Sequence, residues 1–527
     1  MGLLSFEGEN AREKAIVLLT MCFALAMVML DNTVVNVALP TLSKALDAGV
    51  SQLQWIVDGY VLALASLLLT GGILGDRYGR KRMFLTGLAI FTLSSLACGL
   101  SSSSEMLIAF RATQGIGAAL LLPGTLSILT VTFPPQERAR AIGLWAGVSG
   151  LALALGPTLG GWLVENIGWQ SVFFLNVPIG IIGFLVATST VRESTSEQVR
   201  LIDVPGLLLG TGSLFFVTYG LIEANQYGWS DFRIWGSLVL GAGLLVGLLV
   251  AESRSDHPMM PLPLFRIPAF SAGNLVAFSI ALAMFGTFFF LSLYVQLIRG
   301  YSAFEAGLSF LPLTLLIIVT APNAGKYAQR HGSRAPMTFG LLLAGTGLLL
   351  FTFLTPTTPY LLMVPVLVMM GLGMGSTMAP MTAAVMNAVG PQRAGLGSAM
   401  TNTSREVGGV FGIALLGTIL TTRLGSAFST GIARLPLTAG QRVALDTAAS
   451  HGTLDPSVLG KLPQAVQGPV ASVFGDAFMS GFHVAVLVAG LVMYAAAAAA
   501  FKFIPAGAHG DDASHAAAQE QQPVAAH

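Results

Sequence analysis

Long apolar runs, separated by short polar segments, follow one another along the chain from residue 15 to residue 501. A helix needs about 20 mostly apolar residues to cross a bilayer, whereas a membrane strand is shorter and alternates in character. The runs are long and alternate little, so they predict helices. We expect fourteen transmembrane spans, over 15–38, 53–74, 83–101, 105–130, 141–162, 170–191, 203–223, 233–252, 270–298, 303–323, 336–355, 359–385, 395–421 and 474–501.

The first run also has a feature of a secretory signal peptide, because Ala24, Leu25 and Ala26 resemble a cleavage site. The segment before it, FEGENAREK, mixes acidic and basic residues, and thirteen further runs follow. We therefore interpret the first run as an uncleaved membrane anchor.

The composition agrees with a polytopic membrane protein. Of the 527 residues, 54% are apolar and 10% are charged, against about a quarter charged in soluble domains. The net charge of +1 provides no basic face for nucleic acid. The two cysteines, Cys22 and Cys98, both lie inside apolar runs, which excludes a disulfide framework and a CxxC metal site.

The distribution of Lys and Arg predicts the orientation in the membrane. With a cytoplasmic N-terminus, the inner segments carry 17 basic residues and the short outer loops carry 3. The outer loop 422–473 adds 4, but loops of that length are not counted in this rule. We therefore expect a multi-pass protein of the cytoplasmic membrane, with residues 1–14 and a disordered tail, 502–527, both in the cytoplasm.

The two halves of the chain repeat one pattern. GILGDRYGRKR at 72–82 follows the second span, and GKYAQRHGSR at 325–334 follows the tenth. Repeated halves are typical of secondary transporters, which bind their substrate between the halves near the bilayer midplane. We expect a six-helix bundle over 15–191, two inserted helices over 203–252, and a second six-helix bundle over 270–501.

Ionisable residues inside spans are costly, so they are the strongest functional candidates. Asp31, Asp58 and Arg111 lie in the outer third of their spans, whereas Arg405 and Glu406 lie near mid-depth. An acid there can be a proton site, and we favour that role for Asp31. The alternative is a static Asp31–Arg111 pair that holds helices together. For Asp58 and Glu406 the two interpretations stay open, since Arg405 lies beside Glu406.

The fifth span, GLWAGVSGLALALGPTLGGWL, is rich in small residues four apart, which permits close helix contact. Pro157 removes a helical hydrogen bond and should bend this span. We favour a moving helix over a passive packing device. Its small residues are Gly143, Gly147, Gly150, Gly156, Gly160 and Gly161.

Three aromatic positions are candidates for an apolar substrate cavity or for stacking on an organic cation. They are Trp145, Tyr294 and the run Phe288–Phe290 with Phe289 at its centre. Contact with lipid or protein is the commoner use of such residues. The sequence has no Walker-type phosphate loop, nucleophile elbow or zinc motif, so we expect neither an enzyme, nor ATP hydrolysis, nor a bound metal.

Several motifs resemble those of the major facilitator superfamily, in particular its fourteen-span drug/proton antiporter branch. The set extends over nearly the whole chain: LDNTVVNVALP, WIVDGYVLA, GILGDRYGRKR with Gly72, Asp76, Arg77, Gly79, Arg80 and Lys81, LIAFRATQGIGAA, GPTLGG with Gly156, Pro157, Gly160 and Gly161, FFLNVPIG, YVQLIRGYSAFEAG and GLGSAMTNTSREVGG. One motif alone would be weak evidence, but their order makes the resemblance specific.

The resemblance implies an exporter of lipophilic, often cationic compounds that is driven by the proton gradient and needs no cofactor. It implies that Asp31, Asp58, Arg111 and Glu406 act in proton coupling or cation recognition. It also implies that Asp76 and the basic residues after it form a cytoplasmic latch between helices.

The chain departs from the family pattern at four places. Ala152 replaces a glycine of the span 5 motif, and WQSVF at 169–173 lacks an arginine and a second tryptophan. Gln329 stands where the first repeat has Asp76, so a latch in the second half must differ. Span 10 carries no acid of the kind that some relatives use for divalent cations.

From the sequence we expect a proton-coupled exporter that works by alternating access, as a monomer, on small molecules. The alternative is a dedicated exporter of one self-made metabolite or antibiotic. A membrane-embedded enzyme or sensor would need a catalytic cluster or a soluble domain, which the sequence lacks.

In a two-membrane cell, relatives join a periplasmic adaptor and an outer-membrane channel. The loop 422–473 is then a docking surface or, more simply, a flexible connection.

Overall fold

The computed structural model describes residues 11–195, 203–255, 258–389, 394–450 and 459–507. These ranges are almost entirely helical and contain no strand, which confirms the predicted fold class. The ends of the chain, including residues 508–527 of the predicted tail, lie outside the described residues.

The helices follow the predicted spans in order and are numbered α1 to α14. They are α1 Ala11–Leu46, α2 Val50–Tyr78, α3 Arg80–Gly99, α4 Ser104–Thr132, α5 Pro135–Asn166, α6 Ser171–Thr190, α7 Val204–Tyr227, α8 Phe232–Arg254, α9 Pro268–Ile298, α10 Ala303–His331, α11 Arg334–Phe353, α12 Tyr360–Val389, α13 Ala394–Ile432 and α14 Gln464–Phe503.

Thirteen helices in the described ranges are long and apolar enough to cross a membrane. The remaining predicted span, 141–162, lies on α5. Several helices continue past their apolar runs, because polar residues outside a bilayer tolerate helical structure. In the outer loop, α13 continues to Ile432, a short helix covers Ala439–Ser450, and α14 begins at Gln464.

The two six-helix bundles repeat one packing scheme. In the first bundle α2 packs on α4, α3 on α4 and α6, and α1 on α5. In the second bundle α10 packs on α12, α11 on α12 and α14, and α9 on α13. Each pairing recurs eight helices later, as expected of two halves that share one architecture.

The inserted hairpin of α7 and α8 touches both bundles. Trp55 on α2 donates its indole N–H to Glu223 Oε1 on α7 at 2.8 Å. On the opposite side, the Thr418 hydroxyl on α13 donates to the carbonyl of Leu221 on α7 at 2.5 Å. Helix α7 therefore lies against the seam between the bundles.

We call the end of the molecule where α1 ends and α2 begins the outer end, following the orientation predicted from the basic residues. Direct hydrogen bonds between the bundles lie toward this end. Gln54 Nε2 donates to the carbonyl of Ile413 at 2.8 Å, and Ser292 Oγ donates to the carbonyl of Asn36 at 2.7 Å. The conformation is thus closed at the outer end.

Small residues of α5 and α10 make the closest contact between the bundles. A methyl group on Gly161 would overlap the carbonyl of Ala303, and one on Gly307 would overlap the carbonyl of Pro157. Farther along α5, a Cβ on Gly143 or Gly147 would meet nothing within 4 Å. Of the two ends of the small-residue stripe, the outer one therefore makes this packing contact, whereas Gly143 and Gly147 face open space.

Gly307→Ala should weaken the closed outer end, because the added methyl group must push α5 and α10 apart. In a Thr158→Cys background, we expect faster labelling by a membrane-impermeant maleimide. Gly143→Ala, on an open part of α5, is the matched control and should leave the rate unchanged. Equal labelling rates in both variants would contradict this account of the outer contact.

Candidate functional site

Two fully buried charged side chains of the first bundle form a pair. Arg111 on α4 donates from Nη1 to Asp31 Oδ2 on α1, and both side chains are fully buried. The same guanidinium donates from Nη1 to Gln114 Oε1 at 2.8 Å and from Nε to the carbonyl of Ile56 at 3.0 Å. The pairing of Asp31 with Arg111 that the sequence offered as an alternative is therefore present.

Two amides satisfy the other carboxylate oxygen. Asp31 Oδ1 accepts from Gln114 Nε2 at 2.9 Å and from Asn176 Nδ2 on α6 at 3.0 Å. Asn176 Nδ2 also lies 3.0 Å from the hydroxyl of Ser95 on α3. Since Arg111 also bonds the α2 backbone, five helices (α1, α2, α3, α4 and α6) meet at this one pair. The sequence analysis did not single out Gln114, Asn176 or Ser95 as site residues, although Gln114 and Asn176 lie within two of the quoted motifs.

An aromatic ring covers the cation of this pair. The Arg111 guanidinium carbon lies 4.2 Å from the centre of the Tyr60 ring on α2. Tyr60 is fully buried and its hydroxyl has no hydrogen-bond partner in the described part of the chain. A cation held against an aromatic face in a dry environment is stabilised by about 2 kcal/mol.

Asp58 on α2 lies in a different environment. Its side chain is fully buried, and neither carboxylate oxygen has a partner among the described residues. Gln54 lies one turn away on the same face of α2 and bonds the α13 backbone, so Asp58 faces the seam between the bundles. An ionised group without a partner is very costly in an apolar interior. This position therefore accommodates the neutral acid.

Of the two carboxylate oxygens of Glu406 on α13, one has a hydrogen-bond partner in the described ranges. It is 2% exposed, and its Oε1 accepts from Arg405 Nη2 at 3.2 Å, whereas Oε2 has no partner in the described ranges. Helix α13 packs against α2 across the seam. Asp58 of the first bundle and Glu406 of the second thus lie on helices that face each other, and each has at least one carboxylate oxygen without a hydrogen-bond partner in the described ranges.

The glycines of the span 5 motif fix α5 against its neighbours. Gly156 lies against the Thr33 side chain and Gly160 against Val34, both on α1. Gly156 and Gly160 therefore bind α5 to its own bundle, whereas Pro157 and Gly161 form the contact with α10. The motif thus packs α5 against both bundles, and the movement expected of this helix stays a prediction.

The charged motif after α2 organises the inner end of the first bundle. Asp76 Oδ1 accepts from Arg80 Nη2 at 2.8 Å, and Lys81 Nζ donates to the carbonyl of Thr188 at 2.7 Å. Gly72 lies against Pro123 on α4, and Arg77 is exposed beside the Tyr78 ring. The described contacts of the predicted latch therefore lie within one bundle.

A residue that the sequence reasoning missed completes this motif. Glu193, just after α6, accepts from the backbone N–H of Lys81 at 3.0 Å and of Arg82 at 3.1 Å. Gly79 has φ +112°, and a Cβ there would lie 2.7 Å from the Glu193 carboxyl group. The second half repeats this arrangement: Gly332 has φ +89°, and its Cβ would lie 2.6 Å from the carbonyl of Ala506, just after α14.

The three aromatic candidates for a substrate cavity differ in their burial and in their contacts. Tyr294 is fully buried, donates to the carbonyl of Thr355 at 2.9 Å and stacks on Phe482. Phe289 is also fully buried, against Phe290. These contacts agree with the alternative role of packing within protein. Trp145 is half-buried, and its indole N–H has no partner among the described residues.

The described residues offer few other groups that could bind a metal ion or transfer a proton. No group of three or more His, Cys, Asp or Glu within the described ranges is placed to hold a metal ion. His483 on α14 lies 2.7 Å from the carbonyl oxygen of Leu354, so its ring is engaged in a packing contact between neighbouring elements.

Comparison with known proteins agrees with the fold. The model of the Major Facilitator Superfamily matches residues 21–413. The tetracenomycin C resistance and export protein of Streptomyces glaucescens is 36% identical over 487 residues, which cover 92% of this chain and 90% of that protein. Multidrug resistance protein Stp of Mycobacterium tuberculosis is 32% identical over 507 residues, covering 94% and 93%.

A solved structure with the same fold is a bacterial homolog of the human lysosomal transporter Spinster, in an inward-facing and unoccupied conformation. It matches with a TM-score of 0.63 at 18% identity and covers 95% of this chain and 99% of that one. This likeness concerns the fold alone.

The Asp31–Arg111 pair should behave as one energetic unit. Replacing either residue by leucine leaves a buried charge unpaired, which should lower the free energy of unfolding by about 3–5 kcal/mol. The Asp31→Leu/Arg111→Leu double variant removes both charges and should recover much of that loss. A double-mutant cycle on purified protein measures the coupling, and strictly additive losses would show that the pair is not a unit.

Proposed function

We propose a function on the premise that this chain belongs to the Major Facilitator Superfamily of membrane transporters. It exports lipophilic, cationic drugs or toxic compounds across the cytoplasmic membrane, in exchange for protons, by alternating access. Two of its relatives, one named as a resistance and export protein and one as a multidrug resistance protein, support export as the direction of transport.

The proton part of the proposal depends on Asp58. A fully buried carboxyl group without a partner is stable only as the neutral acid. In the outer-closed conformation Asp58 therefore holds the proton. When the seam between α2 and α13 admits water from the cytoplasmic side, the acid ionises and its proton leaves to the cytoplasm.

Cation recognition follows from the same change. Once Asp58 has lost its proton, its carboxylate faces α13, where Glu406 Oε2 is also unsatisfied. Two acidic groups at the seam attract an organic cation, and the half-buried Trp145 offers a ring on which the cation can stack. Protonation from the outside removes this attraction and releases the cation outward.

The Asp31–Arg111 pair has a supporting role in this cycle. Every carboxylate oxygen of Asp31 already accepts hydrogen bonds, and the pair joins α1 and α4 inside one bundle. It holds the first bundle rigid while the bundles rock. This assignment departs from the sequence-based preference for Asp31 as the proton site.

A narrower function is the second candidate. The tetracenomycin C protein is named for one antibiotic, so the present chain is alternatively a dedicated exporter of one self-made compound. A substrate panel separates the two functions, because a dedicated exporter responds to one chemical family and a multidrug exporter to unrelated cations.

Inside-out membrane vesicles with a respiration-acidified lumen test proton exchange. Adding ethidium or a quaternary ammonium compound should release lumenal protons with wild-type protein and with Glu105→Gln, a control at an exposed acid. Asp58→Asn should abolish the release, whereas Asp31→Asn should retain it, provided that it folds. Release that persists in Asp58→Asn would contradict the role of Asp58, and no release with any compound in wild type would contradict antiport.

A further inference from the structure

Two acids lie at the inner end of the inserted hairpin, apart from the seam just described. Asp203 precedes α7 and accepts from the Gly206 N–H through Oδ1 at 2.8 Å. Glu252, in the last turn of α8, accepts from the Met260 N–H through Oε2 at 3.0 Å. One oxygen of each carboxyl group is thus engaged with the backbone.

The other two oxygens border one small space. Asp203 Oδ2 and Glu252 Oε1 are both buried and have no partner among the described residues. A Cβ on Gly206 would lie 2.7 Å from Asp203 Oδ2 and 3.0 Å from Glu252 Oε1. The Glu252 side chain is buried, with 3% of the residue exposed. Two buried, unsatisfied oxygens, one from the buried Glu252 and one from the half-buried Asp203, therefore converge beside a residue without a side chain.

No basic group in the described part of the chain compensates the two acids. The charged group that acts on Glu252 is Asp203 itself. The other charged side chains on the inner ends of the packed elements are exposed or half-exposed: Asp76 and Arg77 on α2, Arg254 on α8 and Arg266 in the linker. Two carboxylates that share a site do not both ionise.

We infer that Asp203 and Glu252 bind one proton between them. One acid donates its O–H from one unsatisfied oxygen to the other, so a single proton satisfies both. A proton fits this space better than Mg²⁺ or Ca²⁺, because two free oxygens can share one proton, whereas those ions take about six or more oxygen ligands. This proton site does not depend on the proposed function.

The proton site holds the connection between the bundles. Glu252 anchors Met260 of the linker 258–267, and Met259 of the same linker lies against Thr70 on α2. Farther along, Leu264 is buried in an inner-end cluster with Phe270, Val385 and Met400, against which Leu69 of α2 packs. Loss of the proton would place two like charges together and loosen this inner-end link.

Thermal unfolding of the purified full chain in detergent, followed from acidic to alkaline pH, tests the inference. The wild-type Tm should fall as the pH rises through the titration of the pair. Glu252→Gln replaces the shared O–H by an amide donor that does not titrate, so the fall should be smaller by a few degrees. Glu105→Gln, an exposed acid at the outer end of α4, should follow wild type.

An infrared measurement gives a second readout that does not need transport or a stability difference. At neutral pH, the carbonyl stretching band of a protonated carboxylic acid should be stronger in wild type than in Glu252→Gln, and the Asp203→Asn/Glu252→Gln double variant should match Glu252→Gln. Identical pH profiles together with identical bands would overturn the inference. A wild-type Tm at alkaline pH that rises with added Na⁺, Mg²⁺ or Ca²⁺, but not in Glu252→Gln, would also overturn it and identify a cation site.

Discussion

The cost of an ionised group in an apolar interior governs the arrangement of this protein. Three buried acids of the chain lie in surroundings that offset this cost to different degrees. Asp31 is paired with Arg111 and two amides, Glu406 is half satisfied by Arg405, and Asp58 has no partner in the described ranges. These unequal solutions separate a centre whose charges are fully paired from acids whose charge must change when their surroundings change.

The position of each acid relative to the contact between the bundles decides whether its charge can change. Gly161 and Gly307 let α5 and α10 touch at the outer end, and Gln54 bonds α13 across the seam. Asp58 lies one turn inward from Gln54, so an opening of that seam that reaches this depth alters its surroundings. Asp31 lies within one bundle and stays shielded whichever way the bundles rock. The proposed division of roles therefore follows from position as much as from pairing.

Much of this architecture was accessible from the sequence, because apolar runs of span length and repeated loop motifs specify helices and related halves directly. The buried charges were also identifiable, since an acid or an arginine in such a run is conspicuous. Gln114, Asn176 and Glu193 were not, because an uncharged amide or a loop acid carries no comparable signal. Nor could spacing distinguish Gly161, which meets α10, from Gly143, which faces open space. Those distinctions depend on which helices become neighbours.

The central claim is that Asp58 carries the proton that a cationic substrate displaces. The most direct measurement is proton release from purified protein in weakly buffered detergent, recorded with a pH indicator as a quaternary ammonium compound binds. We predict release from the wild-type protein at a pH where Asp58 is protonated, and none from Asp58→Asn when that variant still binds the compound. Undiminished release from Asp58→Asn would contradict the claim and return the proton to Glu406 or Asp31.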